Sequence, residues 1–124
     1  MEKVYIKNAP EAIGPYSQAV KVGGLVFTSG QIAINPASGA VEAQDIVGQT
    51  EQVMRNLGEV LAAEGSSFEK AVKTTCVLAD MGDFASFNEI YAKYFTTCPA
   101  RSCVAAKALP TGALVEVEVI AEVL

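Results

Sequence analysis

The sequence predicts an α+β fold, a two-layer sandwich in which two helices cover one face of a mixed β-sheet. Short runs rich in β-branched residues recur along the chain, and two stretches place apolar residues at helical spacing. The order of these segments is β-β-β-α-β-α-β-β. Helices that join strands in this way favour parallel neighbours and right-handed crossovers, which put both helices on one face. With 124 residues, 51% of them apolar, the chain is expected to form one domain, residues 1–124.

Three short strands are predicted in the first part of the chain. They run from Val4 to Ile6, from Ser17 to Val22 and from Leu25 to Thr28. Gly23-Gly24 between the last two is a two-residue hairpin signal. The stretch Asn35-Pro36-Ala37-Ser38-Gly39 predicts a loop or a small hairpin tip.

Two helices and a strand are predicted in the middle of the chain. The first helix extends from about Ile46 to Glu64, with Asp45 as its N-cap and Gly65 as its stop. A buried strand from Ala71 to Ala79 follows, and Asp83 is expected to cap the second helix. The apolar stripe of that helix consists of Phe84, Phe87, Ile90, Tyr91, Tyr94 and Phe95.

The last quarter of the chain predicts two further strands, which begin after Pro99 and at Val115. The second of them alternates valine with glutamate, so its valines face the helices while Glu116 and Glu118 face the other way. Two helices leave much of that other face without cover in a single chain. We therefore expect a homo-oligomer with ligand sites at the seams between subunits.

Composition excludes several classes of function. A net charge of −5 argues against nucleic acid as a main partner, because affinity for a polyanion depends on clustered Lys and Arg. No apolar run approaches the roughly 20 residues that span a bilayer, and the first residues lack the apolar core of a secretory signal. The expected location is the cytoplasm, where Cys76, Cys98 and Cys103 are reduced thiols.

The chain contains no histidine. This excludes a Ser-His-Asp or Cys-His nucleophilic device and the usual zinc ligand sets, and three cysteines are too few for a Cys-only zinc site. Catalysis, if present, depends on carboxylates, tyrosine, lysine, arginine, backbone amides and water. No metal is expected.

Arg101 and one of two glutamates are the leading candidates for a functional site. The planar guanidinium of Arg101 suits a bidentate grip on a substrate carboxylate, although a structural ion pair at a strand end is the alternative. Glu116 or Glu118 can orient and deprotonate a water molecule, although either can also belong to the polar face of a half-solvated strand.

The remaining candidates offer weaker signals. Cys103 has no base in the sequence to activate its thiol, so its backbone amide is the more interesting group. Tyr16 follows the fixed bend of Gly14-Pro15, and Ser29-Gly30 would let backbone amides approach a ligand, although both patterns are also ordinary structural features. Asn88 can face either the core or the site.

Together these segments resemble the Rid (reactive intermediate deaminase) family, also called the YjgF family, and within it the RidA-type imine deaminases. The residues that carry the resemblance span the chain: Ala12-Ile13-Gly14-Pro15-Tyr16-Ser17-Gln18-Ala19, Thr28-Ser29-Gly30-Gln31, Asn56-Leu57, Val72-Lys73-Thr74-Thr75, Asp83-Phe84-Ala85-Ser86-Phe87-Asn88-Glu89-Ile90-Tyr91, Pro99-Ala100-Arg101-Ser102-Cys103-Val104, and Leu109-Pro110 through Glu116-Val117-Glu118.

The resemblance implies a chorismate-mutase-like fold and a homotrimer with three clefts between subunits. It also implies cofactor-free hydrolysis of 2-imino acids, such as 2-iminobutanoate and 2-iminopropanoate, to 2-oxo acids and ammonia. Such imines come from the enamines that pyridoxal-phosphate-dependent dehydratases release, so a functional link to those enzymes is expected.

The resemblance also implies roles for individual residues. Arg101 would hold the substrate carboxylate with help from the backbone amide of Cys103, and Glu116 rather than Glu118 would orient the attacking water. The predicted pocket is completed by Tyr16, counted with Arg101 and Glu116 as catalytic, and by the substrate-binding residues Ser29, Gly30 and Asn88.

One departure and several alternatives belong to this interpretation. The segment Thr96-Thr97-Cys98 is shorter than in many family members, which bears on the rim of the pocket and on substrate size. The alternatives are a regulatory module that binds small carboxylates, a translation inhibitor or endoribonuclease, and a redox-regulated holdase.

Overall fold

The computed structural model describes residues 1–123 and contains eight strands and two α-helices. The strands are β1 Glu2–Val4, β2 Ala19–Val22, β3 Leu25–Thr28, β4 Ile34–Asn35, β5 Ala40–Val41, β6 Ala71–Leu78, β7 Ala100–Ala105 and β8 Val115–Glu122. The helices are α1 Ile46–Ala63 and α2 Phe84–Tyr94. Short 3-10 turns cover Phe68–Lys70, Met81–Asp83 and Pro110–Gly112.

Six strands form one mixed sheet in the order β1-β2-β3-β8-β6-β7, and both helices pack on one of its faces. The predicted α+β sandwich is confirmed. Only β6 and β7 are parallel neighbours. The strand β8 lies between β3 and β6 and is antiparallel to both, so the crossover through α1 does not join adjacent strands as the segment order suggested.

The hairpin predicted at Gly23-Gly24 is present. Gly23 and Gly24 have φ values of 59° and 77°, the left-handed conformation that a tight two-residue turn between strands requires. The tip predicted at residues 35–39 is also present, as the turn of a separate two-stranded hairpin of β4 and β5. This small hairpin adds two strands that the sequence pattern did not separate from a loop.

The first strand is shifted from its predicted position and ends at Val4 rather than Ile6. The buried side chain of Gln18 accepts a hydrogen bond from the backbone N–H of Ile6 at 2.6 Å and donates one to its carbonyl at 3.0 Å. Because the side-chain amide occupies both backbone groups, Ile6 does not continue the strand ladder.

The two helices begin differently. The Oδ1 of Asp45 accepts from the amide of Gly48 at 2.9 Å, which confirms the predicted N-cap of α1. Asp83 occupies the predicted N-cap position of α2, but its side chain makes no capping hydrogen bond. A 3-10 turn precedes the helix, and Asp80 supplies the side-chain bond by accepting from Gly82 at 2.8 Å.

The side chains of β8 alternate between the two faces of the sheet, as the alternation of valine and glutamate predicted. Its valines are buried under the helices, together with Val53, Met54, Leu57, Val60 and Leu61 of α1. Glu116 and Glu118 lie on the opposite face, where no helix packs among residues 1–123. No helix in the described part of the chain is long and apolar enough to cross a membrane.

Candidate functional site

Arg101 lies on the helix-bearing side of the edge strand β7. It pairs across the parallel ladder with the buried Thr74, and paired residues point to the same face of a sheet. Its Nη1 donates to Oδ1 of Asn88 at 2.8 Å. Its Cζ lies 4.7 Å from the ring centroid of Tyr91 and 5.5 Å from that of Phe84. One face of α2 thus holds the guanidinium in place.

The guanidinium of Arg101 is half-buried, yet it forms no ion pair within residues 1–123. The one ion pair found there joins Lys21 to Glu64 at 3.8 Å, elsewhere in the fold. The alternative interpretation of Arg101, a structural ion pair at a strand end, therefore finds no support in the described residues. A half-buried cation without an internal counter-ion is suited to an external anion.

The backbone N–H of Cys103 points outward from the free edge of the sheet, on the side of β7 away from β6. Ala106 donates its N–H to the carbonyl of Leu78 at 2.9 Å. In a parallel ladder successive residues direct their backbone groups alternately to the two sides, so Arg101, Cys103 and Ala105 direct theirs to the free edge of β7. Three backbone N–H groups, those of Arg101, Cys103 and Ala105, therefore point to the edge of the sheet on which the guanidinium lies.

The thiol of Cys103 is not activated. Burial raises its pKa, and the opposing effect of the nearby Arg101 charge is smaller. A raised pKa keeps the sulfur protonated at neutral pH and lowers its reactivity. The contribution of Cys103 through its backbone amide remains a prediction.

Glu116 lies on the other face of the sheet, where it pairs with Val77 across β6 and β8. The carboxyl is half-buried, and burial raises its pKa, with a further contribution from the like charge of Glu118. Its side chain passes so close to Gly30 that a Cβ at position 30 would lie 2.8 Å from Cδ and from Oε1. Only glycine leaves room for this carboxylate.

Glu116, Gly30 and Tyr16 line one small cleft of about 110 Å³, with Pro110 and Gln31 among its other walls. Tyr16 is 51% exposed, and its hydroxyl accepts a hydrogen bond from the amide of Ile13 at 3.4 Å. The structure therefore brings three of the predicted site residues together, with a phenol and a carboxylate facing the same space.

Ser29 acts as a brace beside this cleft. Its hydroxyl donates to the carbonyl of Ser17 at 2.5 Å, and its amide donates to the carbonyl of Gln18 at 2.8 Å. Both of its donors are thus engaged with the segment that follows Tyr16. In this chain Ser29 fixes the wall of the cleft.

A second cavity, of about 370 Å³, lies beside Arg101 and Asn88. The short segment that follows α2 forms part of its wall, where Cys98 adopts a φ of 54° and donates its amide to the carbonyl of Phe95 at 3.3 Å. The few residues between Phe95 and Pro99 thus make a tight turn and leave this side of Arg101 open.

The predicted site residues form two groups that do not meet within one chain. Arg101, Asn88 and the Cys103 amide belong to the helix-bearing side and the β7 edge. Glu116, with Gly30 and Tyr16, belongs to the other side, and β6 separates β7 from β8. Two strand spacings are roughly 9 to 10 Å, so one small substrate cannot contact both side chains in a single subunit.

Sequence reasoning missed the contribution of Phe84 and Tyr91, which it assigned to the core. The signal was available in their spacing, because residues 84, 88 and 91 lie four and three apart and share one face of a helix with Asn88. Gln18 was also missed. Its side chain binds the backbone of Ile6, Ala9 and Pro10 and so fixes the loop that lines the Glu116 cleft.

No cluster of three or more His, Cys, Asp or Glu side chains suited to a metal ion occurs among residues 1–123.

Residues 6–123 match the family model described as endoribonuclease L-PSP. A mouse relative named 2-iminobutanoate/2-iminopropanoate deaminase is 49% identical over 115 residues, which cover 92% of this chain and 85% of the mouse protein. The chloroplastic Reactive Intermediate Deaminase A of Arabidopsis thaliana is 49% identical over 121 residues, 97% of this chain and 65% of that protein.

Solved structures agree with these relatives. A Yersinia pestis protein described as a member of the conserved Rid protein family superposes with a TM-score of 0.95 at 48% identity, over 98% of each chain. A match of this extent, in sequence and in fold, identifies the family without reference to any single residue. The chain belongs to the endoribonuclease L-PSP family, also known as the YjgF or Rid family.

Proposed function

We propose that this protein hydrolyses 2-imino acids, including 2-iminobutanoate and 2-iminopropanoate, to 2-oxo acids and ammonia. The observation that carries the proposal is Arg101, a half-buried guanidinium that has no carboxylate partner among residues 1–123 and lies beside unpaired backbone amides. Such a group is ready to bind a small carboxylate. The name of the mouse relative indicates which small carboxylic acids to test first.

We further propose that the working site forms between subunits of a homotrimer. Arg101 and Glu116 lie on opposite faces of one sheet, so a second chain is needed to bring such a pair to one substrate. The face that bears Glu116 also exposes apolar side chains, among them Val22 and Val104, which are 49% and 54% exposed. An open apolar sheet face of this kind favours association of identical subunits.

Binding comes first in the proposed mechanism. Arg101 grips the carboxylate of the imino acid in a bidentate manner, and the free N–H of Cys103 donates to one of the same oxygens. This fixes the imine carbon relative to the Glu116 carboxylate of the neighbouring subunit. The gain is one of proximity, because the protonated imine is already electrophilic.

The chemical step requires one water and one base. Glu116 accepts a proton from water as the oxygen attacks the iminium carbon, which gives a carbinolamine. Glu116 then returns that proton to the nitrogen, the C–N bond breaks and ammonia leaves. The hydroxyl proton passes to the departing ammonia as the 2-oxo acid forms, so the products are the 2-oxo acid and ammonium. The Tyr16 hydroxyl lies on the same cleft and can hydrogen-bond the water or the departing nitrogen.

RNA cleavage is the second candidate, because the family model itself is described as an endoribonuclease. The chain offers little for such a reaction. It has no histidine and a net charge of −5, and phosphate binding depends on clustered positive charge. An RNA-cleavage assay nevertheless belongs beside the deaminase assay.

The deciding experiment couples a pyridoxal-phosphate-dependent threonine dehydratase to this protein and follows release of 2-oxobutanoate from the transient imine. We expect acceleration over buffer, its loss in Arg101→Ala, and a far greater loss in Glu116→Gln than in Glu118→Gln. No acceleration by a folded, assembled protein would refute the proposal. RNA cleavage that depends on Arg101 would favour the second candidate.

A further inference from the structure

We infer that Tyr91 is a positioning residue that holds the Arg101 guanidinium ready for a carboxylate, while Thr74 fixes the Tyr91 ring. The inference rests on the proposed function, since it concerns how the carboxylate clamp is preorganised. Tyr91 belongs to the apolar stripe of α2 and is buried, yet its contacts differ from those of an ordinary core aromatic residue.

The guanidinium of Arg101 lies over the aromatic ring of Tyr91. The guanidinium carbon lies 4.7 Å from the ring centroid, within the range in which a cation is attracted to the face of an aromatic ring. Phe84, seven residues earlier on the same face of α2, lies 5.5 Å from the same carbon. Asn88 between them accepts from Nη1 at 2.8 Å.

The ring itself cannot swing away. Its hydroxyl shares a hydrogen bond of 2.7 Å with the hydroxyl of Thr74, on the strand β6 directly opposite Arg101. The ring of Phe95 stacks on that of Tyr91 with a centroid separation of 4.5 Å and an interplanar angle of 26°, and the centroid of the Phe87 ring lies 5.7 Å away. Tyr91 is therefore fixed at its hydroxyl and along its ring.

An aromatic brace has a specific advantage at this position. A carboxylate partner would hold Arg101 equally well, but it would neutralise the charge and occupy the fork of N–H donors. The ring attracts the cation without neutralising it, and Asn88 accepts from one of the five N–H donors. The charge of Arg101 and its remaining N–H donors are therefore available to the substrate.

The chain contains a matched control for this idea. Tyr94 lies on the same helix, packs against Phe68, and its hydroxyl donates to Glu51 at 2.7 Å. Among residues 1–123 the rings found beside the Arg101 guanidinium are those of Phe84 and Tyr91, and not that of Tyr94. Substituting leucine at position 91 or 94 removes an aromatic ring and a hydroxyl hydrogen bond from the same helix in both cases, although Tyr91 is the more buried of the two. Of these changes, only Tyr91→Leu removes a ring that lies beside Arg101.

The test measures binding of 2-oxobutanoate by titration calorimetry, with 2-oxobutanamide as the uncharged comparison, and the kinetics of the coupled deaminase assay. We expect Tyr91→Leu to weaken binding of 2-oxobutanoate, and to raise KM, by about 3- to 30-fold with little change in kcat. Tyr91→Phe keeps the ring, so its affinity for 2-oxobutanoate and its KM should stay within about threefold of the native values. Tyr94→Leu should stay within the same range.

Several outcomes would overturn the inference. Native affinity in a folded Tyr91→Leu protein would do so, as would an equal loss of affinity in Tyr94→Leu. If Tyr91→Leu does not fold, Tyr91→Met carries the same expectation, because the flexible thioether fills irregular core space without offering a ring. If the native protein binds no 2-oxobutanoate, the proposed carboxylate clamp at Arg101 is itself refuted. This result differs from failure of the Tyr91 inference, in which the native protein binds and the Tyr91→Leu protein binds equally well.

Discussion

The carboxylate of Glu116 occupies the space that a side chain at Gly30 would need, since a Cβ there would lie 2.8 Å from its Cδ. Gly30→Ala should therefore push Glu116 out of position without a backbone penalty, because Gly30 is not among the glycines with positive φ. We expect kcat to fall by roughly 10- to 100-fold, the order of loss that a displacement near 1 Å causes. Steady-state kinetics with Gly58→Ala as a control will check this; native kcat in Gly30→Ala would contradict it.

The pH dependence of activity should reflect the raised pKa of Glu116. The proposed base must be ionised, so kcat/KM should fall on acidification at a pH above the ordinary glutamate pKa of 4.5. Glu118→Gln removes a like charge and should move this acid limb to lower pH. The profile is measured relative to uncatalysed imine hydrolysis, and an unmoved limb would mean that Glu118 does not act on Glu116.

The same group affects stability with a definite sign. Because the folded state raises the pKa of Glu116, its contribution to the free energy of unfolding is fully present below the unfolded pKa and is lost as pH rises through the folded pKa. Glu116→Gln should remove this component. Urea unfolding of both proteins at several pH values measures it, and identical pH dependence would contradict the assignment.

A site that is shared between subunits predicts complementation. Arg101→Ala and Glu116→Gln should each be inactive alone, but a mixed trimer regains one intact pair of Arg101 and Glu116. For a cyclic trimer assembled at random from equal amounts, activity should recover to about one quarter of the native value. Co-expression followed by the coupled assay checks this, and no recovery in proven mixed trimers would place both residues in one subunit's site.

The backbone amide of Cys103 can be removed separately from its thiol. Cys103→Ala should keep most activity, whereas Cys103→Pro should lose carboxylate affinity because proline has no N–H. The ladder to β6 should survive, since the Cys103 amide points to the free edge, where proline is tolerated. Calorimetry with 2-oxobutanoate and far-ultraviolet circular dichroism distinguish a lost contact from a lost strand; equal affinity in the two variants would refute the amide's role.

The core contains one polar atom whose removal should stabilise the protein. The hydroxyl of Thr50 on α1 is fully buried and has no hydrogen-bond partner among residues 1–123. Thr50→Val should raise the free energy of unfolding by about 1 kcal/mol, or roughly 3 to 5 °C in melting temperature. Thr28→Val is the control and should lower the free energy of unfolding. The Thr28 hydroxyl accepts a hydrogen bond from the buried amide of Val119 at 2.9 Å, and valine would leave that amide without a partner. A destabilised Thr50→Val would contradict the expectation.

Much of the fold could be predicted because local signals and burial agreed. The Gly23-Gly24 turn, the Asp45 cap and the alternation of β8 each depend on residues close in sequence. The insertion of β8 between β3 and β6 depends on pairing over long sequence separations, and no local pattern encodes it. The early end of β1 was equally hidden, because a side chain 12 residues away satisfies Ile6.

The site was predicted in its residue types and only partly in its arrangement. Strand position and chemistry singled out Arg101 and left Glu116 and Glu118 as alternatives, between which only the family resemblance chose. The separation of Arg101 from Glu116 by β6 follows from sheet order. Tyr91 was assigned to the core because an aromatic residue at helical spacing usually packs there, and it does. Its contact with Arg101 depends on which strand α2 covers, which the spacing alone does not reveal.

The free edge of β7 also bears on aggregation. The free edge that offers the N–H of Cys103 to the ligand also presents unpaired N–H and C=O groups with which another unfolded or misassembled strand could pair. We expect the proposed trimer, with its substrate bound, to cover both this edge and the apolar sheet face, which a chain without its neighbours exposes. On that proposal, the backbone geometry that serves the substrate also makes correct assembly a condition for remaining in solution.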